Sequence, residues 1–172
     1  MAKTFTTILE KSFLEARKTK QQARIDELVE NFEFLGDWEE RFSYLIELGK
    51  NLPQLEAEEK IETNRVHGCQ ATVYLCMTPD PSEPPVFTVR ADADAFIVKG
   101  LISILLLLYN KKTAEEIIKT NALEVFRKLG LDKHLTMTRR NGLHSMVERI
   151  ETLAKLWRRS ESLYGDWDTA DI

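Results

Sequence analysis

The 172-residue chain is 43% hydrophobic with a formal net charge of −4, a make-up that suits one globular domain with its own core and leaves too little for two. Its isoelectric point near 5.5 and the lack of any long basic block remove the concentrated positive face that nucleic acid requires. The two cysteines, Cys69 and Cys76, form no C-x-x-C pair, which points to free thiols in a reducing cytoplasm. The opening MAKTFTTILEKSF, interrupted by Lys3, Glu10 and Lys11, is unlike a secretory leader.

Residues 1–24 are charged, with only a weak helical stripe through Ile8 and Leu14, and read as an N-terminal extension, helical or loose. Glu10 and Glu15 argue against an organelle transit peptide. From Ile25 the spacing sharpens: Ile25, Leu28, Val29 and Phe32 recur at helical intervals and Gly36 ends the run. DWEERFSYLIELGK (residues 37–50) predicts a second helix, with Asp37 as N-cap, Glu40 completing a capping box and Gly49 closing the C-terminus. Its apolar side is Trp38, Phe42, Leu45 and Leu48. Pro53 then opens a linker that runs to Cys69.

Residues 70–77 and 86–90 are rich in β-branched and aromatic side chains, and the proline-rich TPDPSEPP between them predicts a hairpin connection. ADADAF offers Asp92 or Asp94 as N-cap to the apolar run FIVKGLISILLLLY, residues 96–109. That run is too short for a bilayer span and carries Lys99 and Gly100, so it reads as a buried core helix. Short helices follow over 113–119 and 121–129, the second stopped by Gly130. The last helix is expected over 141–157, with Leu143, Met146, Val147, Ile150, Leu153, Ala154 and Trp157 on one face. The residues after 160 read as a flexible acidic tail. The fold class implied is α+β, a small and mainly antiparallel sheet packed against helices, with Cys69 in a loop at the sheet's edge.

The residues leave several chemistries open. His67-x-Cys69 is one weak ligand pair that Cys76, His134 and His144 could complete, but zinc sites are marked by two close pairs, and the H-x-E and P-C-x-x-C of zinc deaminases are absent. A Cys69–His144 dyad would make a stand-alone cysteine hydrolase, although no oxyanion hole can be pointed to. Asp92 and Asp94 could form an acid–base pair, which capping explains more simply. Arg139 and Arg140 in LTMTRRNGL precede the last helix as a basic pair in a loop, where a thiolate or a carboxylate-bearing partner could use them. Cys76, within YLCM, is expected to face the core. At Cys69 the flexible Gly68 clears space beside the sulfur, while Arg65 and His67 supply positive charge that would favour thiolate.

Four blocks in order resemble the SufE family of sulfur-acceptor proteins: DWEERFSYLIELGKNLPQL, RVHGCQATVYL, DADAFIVKGLISILLLLY and HLTMTRRNGLHSMVERI. The resemblance runs from about Ile25 to Leu156 and implies a single SufE-like domain over 25–160, with a tail over 161–172 and a fold shared with IscU-type scaffolds. It implies Cys69 as persulfide acceptor, supported by its neighbours Arg65, His67, Gly68 and Gln70. Arg139 would stabilise the thiolate or contact the partner, and Asp94 would affect docking and loop mobility. The partners implied are a SufS-type cysteine desulfurase, which carries pyridoxal phosphate, and an iron–sulfur scaffold such as a SufBCD-type complex. The chain itself would need no cofactor or metal beyond a transient persulfide, and no nucleic acid or membrane; it could be monomer or homodimer. An IscU-like scaffold role is the alternative. This chain departs from the family pattern in having Ala71 and Tyr74 where serine and tryptophan are common, and Thr138-Arg139-Arg140 in place of S-R-S.

Overall fold

A computed structural model describes residues 2–164. Helix α1 (Ala2–Phe34) is unbroken, so the expected extension is the first part of the same helix that carries Ile25, Leu28 and Phe32. Helix α2 (Trp38–Lys50) starts where predicted: the Asp37 carboxylate accepts the Glu40 amide at 2.9 Å. Glu40 reaches back to the Gly36 amide at 3.0 Å, one residue beyond the Asp37 amide of the expected capping box. Residues 53–65 follow as a strap with two 3-10 turns, Ala57–Glu59 and Glu62–Asn64.

Strands β1 (Val73–Pro79) and β2 (Val86–Ala93) form the predicted antiparallel hairpin, in register from Val73 opposite Ala93 to Pro79 opposite Phe87. A two-residue β3 (Lys112–Thr113) adds to the far side of β2, so β1 is an edge strand. Between β2 and β3 runs α3 (Phe96–Tyr109), and after β3 come α4 (Ala114–Lys119), α5 (Ala122–Lys128), α6 (Leu131–His134) and α7 (Met137–Tyr164). The α+β expectation is met: one antiparallel sheet packs its Val73, Leu75, Phe87, Val89 and Ala91 face against the helices. No helix among the described residues is long and apolar enough to cross a membrane.

The apolar run 96–109 is the buried core helix, with Leu101, Ile102, Ile104, Leu105 and Leu108 at most 1% exposed. It crosses α2 at backbone contact. A Cβ on Gly100 would stand 2.2 Å from the Leu45 carbonyl oxygen, and one on Gly49 would stand 2.4 Å from the Phe96 carbonyl oxygen. Gly49 therefore does not terminate α2, which ends at Lys50 with Asn51 as cap. It is a crossing residue whose missing side chain admits α3.

The other punctuation residues are also corrected by tertiary contacts. Neither Asp92 nor Asp94 caps α3, whose N-cap is Ala95 without a side-chain bond. Asp92 is buried in β2 and pairs with Lys60 at 3.1 Å and Lys99 at 3.6 Å, which accounts for a lysine inside the apolar run. Cys76 lies opposite Arg90 on the sheet's other face, half-exposed beside the Arg90–Glu59 ion pair, not in the core. Helix α7 begins at Met137, four residues earlier than expected, with the Thr136 hydroxyl accepting the Arg139 amide at 3.4 Å. Arg139 and Arg140 are thus in its first turn. The same helix runs on through Tyr164, so residues 161–164 of the expected tail are helical, and the rest of that tail lies outside the described residues.

Overfilling the α2–α3 crossing is expected to cost about 1–3 kcal/mol. Gly100→Ala should lower the urea midpoint accordingly. Gly36→Ala, whose Cβ would meet nothing closer than 3.7 Å, should leave it within about 0.5 kcal/mol; equal stability of the two variants would refute the contact.

Candidate functional site

The cysteine loop leaves the strap just before β1 and is closed at its base. Arg65 bridges to Tyr74, and the Val66 amide donates to the Val73 carbonyl at 2.9 Å, so residues 67–72 project as a short loop. Its far end is tied to the residue just after β2, where the Asp94 carboxylate accepts the Thr72 amide at 3.0 Å. Gly68 has φ +89°, and a Cβ there would lie 2.5 Å from the Ser145 hydroxyl on α7. Conformation and space both require glycine at this position.

That fit presses Cys69 against α7. Its thiol donates to the Gly142 carbonyl at 3.4 Å, and a Cβ on Gly142 would stand 3.3 Å from Sγ. Beside the sulfur opens a cavity of about 330 Å³. Ala71, Val98, Leu101, Leu143 and Met146 make its apolar wall, while Gln70, Asp94, Thr138 and Arg139 supply its polar groups. Cys69 is half-buried, and burial pushes its thiol above the ordinary value. The resting group is a protonated thiol.

Of the residues singled out in the sequence, Cys69, Gln70, Asp94 and Arg139 share this cavity and Gly68 shapes the loop. Arg65 and His67 do not join them. Both turn to Glu62, at 3.9 Å and 2.9 Å, and neither acts to lower the Cys69 pKa. Arg139 is exposed at the rim, and its guanidinium has no ion-pair partner among the described residues. The partner of Sγ is a carbonyl and not an imidazole: His144 is exposed on α7 and His134 stacks on Trp38 at 3.6 Å. Among the described residues no three histidine, cysteine or acidic side chains converge as a metal site would need.

Gly142 and Ser145 were missed in the sequence. The available signal was a glycine inside a helical pattern, which costs about 1 kcal/mol against alanine and asks for a packing reason. The apolar wall was legible only as core periodicity.

A small α+β protein that holds one guarded thiol at a sheet edge is the class these features define. The profile of the SufE Fe–S metabolism associated domain matches residues 26–154. An uncharacterized SufE-like protein of Rhizobium etli is 44% identical over 135 residues, 78% of this chain and 91% of the relative. Another, of Rhizobium meliloti, is 41% identical over 132 residues, 76% of this chain and 94% of the relative. The chain belongs to the SufE family, which places it in iron–sulfur metabolism. The solution structure of a hypothetical protein from Thermus thermophilus shares the fold at a TM-score of 0.61 and 20% identity, covering 76% of this chain and 93% of that one.

Because only the thiolate alkylates, iodoacetamide labelling of Cys69 should be slow at neutral pH. It should rise through a midpoint above the ordinary thiol value of about 8.5. Gly68→Ala, which forces the loop off Ser145, should accelerate labelling and move the midpoint down. An unshifted midpoint in the native protein would show that the sulfur is not sheltered.

Proposed function

We propose that the protein accepts sulfur from a SufS-type cysteine desulfurase onto Cys69, stimulates that enzyme and passes the sulfur to an iron–sulfur scaffold such as a SufBCD-type complex. The observation that carries this reading is the placement of a single thiol beside an apolar cavity with a free guanidinium at its rim. The chemistry needs one nucleophile. The Cys69 thiolate attacks the outer sulfur of the donor's cysteine persulfide, the donor's S–S bond breaks, and its own thiolate leaves. Cys69 then carries the new S–S bond, with no net oxidation and no second cysteine consumed.

Each feature of the site has a part in that exchange. The apolar wall keeps small thiols, which would reduce it by the same exchange, away from the carried sulfur. The raised pKa keeps the empty carrier unreactive until the loop meets its donor. Arg139 is free to hold the anionic sulfur at the mouth or to meet a carboxylate on the partner. Asp94, through the Thr72 amide, sets how firmly the loop is anchored. The chain needs no resident cofactor, since the pyridoxal phosphate that releases sulfur from free cysteine belongs to the desulfurase.

Incubation with a SufS-type desulfurase and cysteine should add one sulfur atom to the peptide containing Cys69, read by mass spectrometry. Cys69→Ser should abolish both that gain and the stimulation, while Cys76→Ser keeps both. If the added sulfur resides on Cys76, or nowhere, the proposal fails. Arg139→Ala should cut stimulation by about tenfold or more, the scale of one charged hydrogen bond; an undiminished stimulation would remove Arg139 from the site.

A further inference from the structure

A second concavity shares no lining residue with the Cys69 cavity and is larger, about 1050 Å³. One side is α1, from Arg17 to Asn31; the other is formed by the C-terminal half of α3, the β3–α4 region and Val125 of α5. At the helical rise of about 1.5 Å per residue, the α1 wall is roughly 20 Å long. The upper part of that wall, residues 17–25, precedes the segment matched by the family profile.

The wall is built in by specific contacts. Gln21 donates to the Leu107 and Leu108 carbonyls at 2.7 and 3.1 Å, and Arg17 donates to the Lys111 carbonyl at 3.0 Å. These are carbonyls at the C-terminal end of α3 and just beyond it, groups that a helix end leaves without intrahelical partners. Alongside these bridges the floor of the groove is apolar, with the partly buried Ile25, Leu48 and Leu106.

The charge of the groove runs against that of the molecule. In a chain of net charge −4, it gathers Arg17, Lys18, Lys20 and Arg24 on one side and Lys111, Lys112 and Lys119 on the other, against Glu27 and Glu116. Lys18 is paired with Glu116 and Lys111 with Asp80. Lys20, Arg24 and Lys119 have no carboxylate partner among the described residues. Lys112 is part-buried and its ammonium donates to the Thr120 hydroxyl at 2.8 Å. Burial makes it less basic, Glu116 offsets part of that, and Lys18 adds to it. An incoming anion would relieve this crowding.

We propose that this groove receives an acidic amphipathic segment of a partner protein, its apolar side on the floor and its carboxylates against the basic rims. The groove's length and the apolar strip along it match one face of an amphipathic helix lying over the seam. A nucleic acid would leave that floor unused. The site is independent of the Cys69 reading and would give the protein a second, charge-steered contact.

The test is a titration of the ¹⁵N-labelled full-length protein with a synthetic 15-residue helical peptide bearing glutamate on one face and leucine on the other. Amide shifts should localise to residues 17–31 and 103–112, and the affinity should fall as salt rises. Lys20→Glu combined with Arg24→Glu, both exposed and therefore compatible with folding, should weaken binding by about tenfold or more. Shifts mapping elsewhere, or equal affinity in the double variant, would overturn the proposal. So would equal binding of a peptide with its leucines replaced by serine, or displacement by tripolyphosphate at matched charge, either of which would define a general anion site.

Discussion

The loop carrying Cys69 and the first turns of α7 meet closely, with no room for a side chain at Gly68 and a tight fit at Gly142, and the character of the site depends on that contact. Gly68 yields the space on the loop and Gly142 yields it on the helix. With both present, the thiol reaches the Gly142 carbonyl and loses much of its water. The bond is one-way: a thiol has a hydrogen to donate and a thiolate has none. Ionisation would set a negative sulfur against the negative end of a carbonyl dipole, so the closed arrangement selects the neutral form. In the proposed transfer the loop must leave this contact for the sulfur to react, and the contact itself supplies the resistance.

The cavity beside the sulfur depends in turn on the α2–α3 crossing. Val98 and Leu101 line the cavity and belong to the turns of α3 that flank Gly100. Backbone contact between the two helices holds those turns close to α2, and the Asp92 pairs with Lys60 and Lys99 fix the N-terminal end of α3 to the sheet and the strap. A carboxylate buried with two ammonium partners stabilises little by itself compared with an apolar substitute, but it is specific about geometry. Here it ties strand, helix and the strap that leads to the cysteine loop.

Helical periods, the hairpin and the position of Cys69 at the sheet's edge were legible because each is a local pattern whose period survives in the fold. The misread residues share one cause. Gly49, Asp92 and Asp94 have the local grammar of helix ends, and each is instead employed across the structure: Gly49 at a crossing, Asp92 in an ion-pair cluster, Asp94 on the cysteine loop. Cys76 sits in an apolar-looking run, but strand parity turns it toward the Arg90 and Glu59 face. Arg65 and His67 are near Cys69 along the chain, yet both side chains turn to Glu62. Motif resemblance found Cys69, Asp94 and Arg139 together, which no periodicity could have done. It was silent on Gly142, whose role exists only through a residue 73 positions away.

The first turn of α7 resolves an apparent contradiction between a buried, unreactive thiol and the proposed transfer, which needs a thiolate. Basic residues at a helix N-terminus oppose the helix dipole and are ordinarily unfavourable there. Arg139 and Arg140 stand in that position, exposed, with their own amides taken up by the Thr136 hydroxyl and carbonyl. Guanidinium groups and helix dipole then act in the same sense on any anion that approaches the rim. Inside the cavity desolvation dominates and the sulfur is neutral; at the rim both charge effects favour the anion. A displacement of the loop outward along this gradient would itself lower the sulfur's pKa, so that exposure and activation become one event. The unfavourable charge at the head of α7 is understandable on those terms, because it creates the gradient along which the cysteine would move in the proposed transfer.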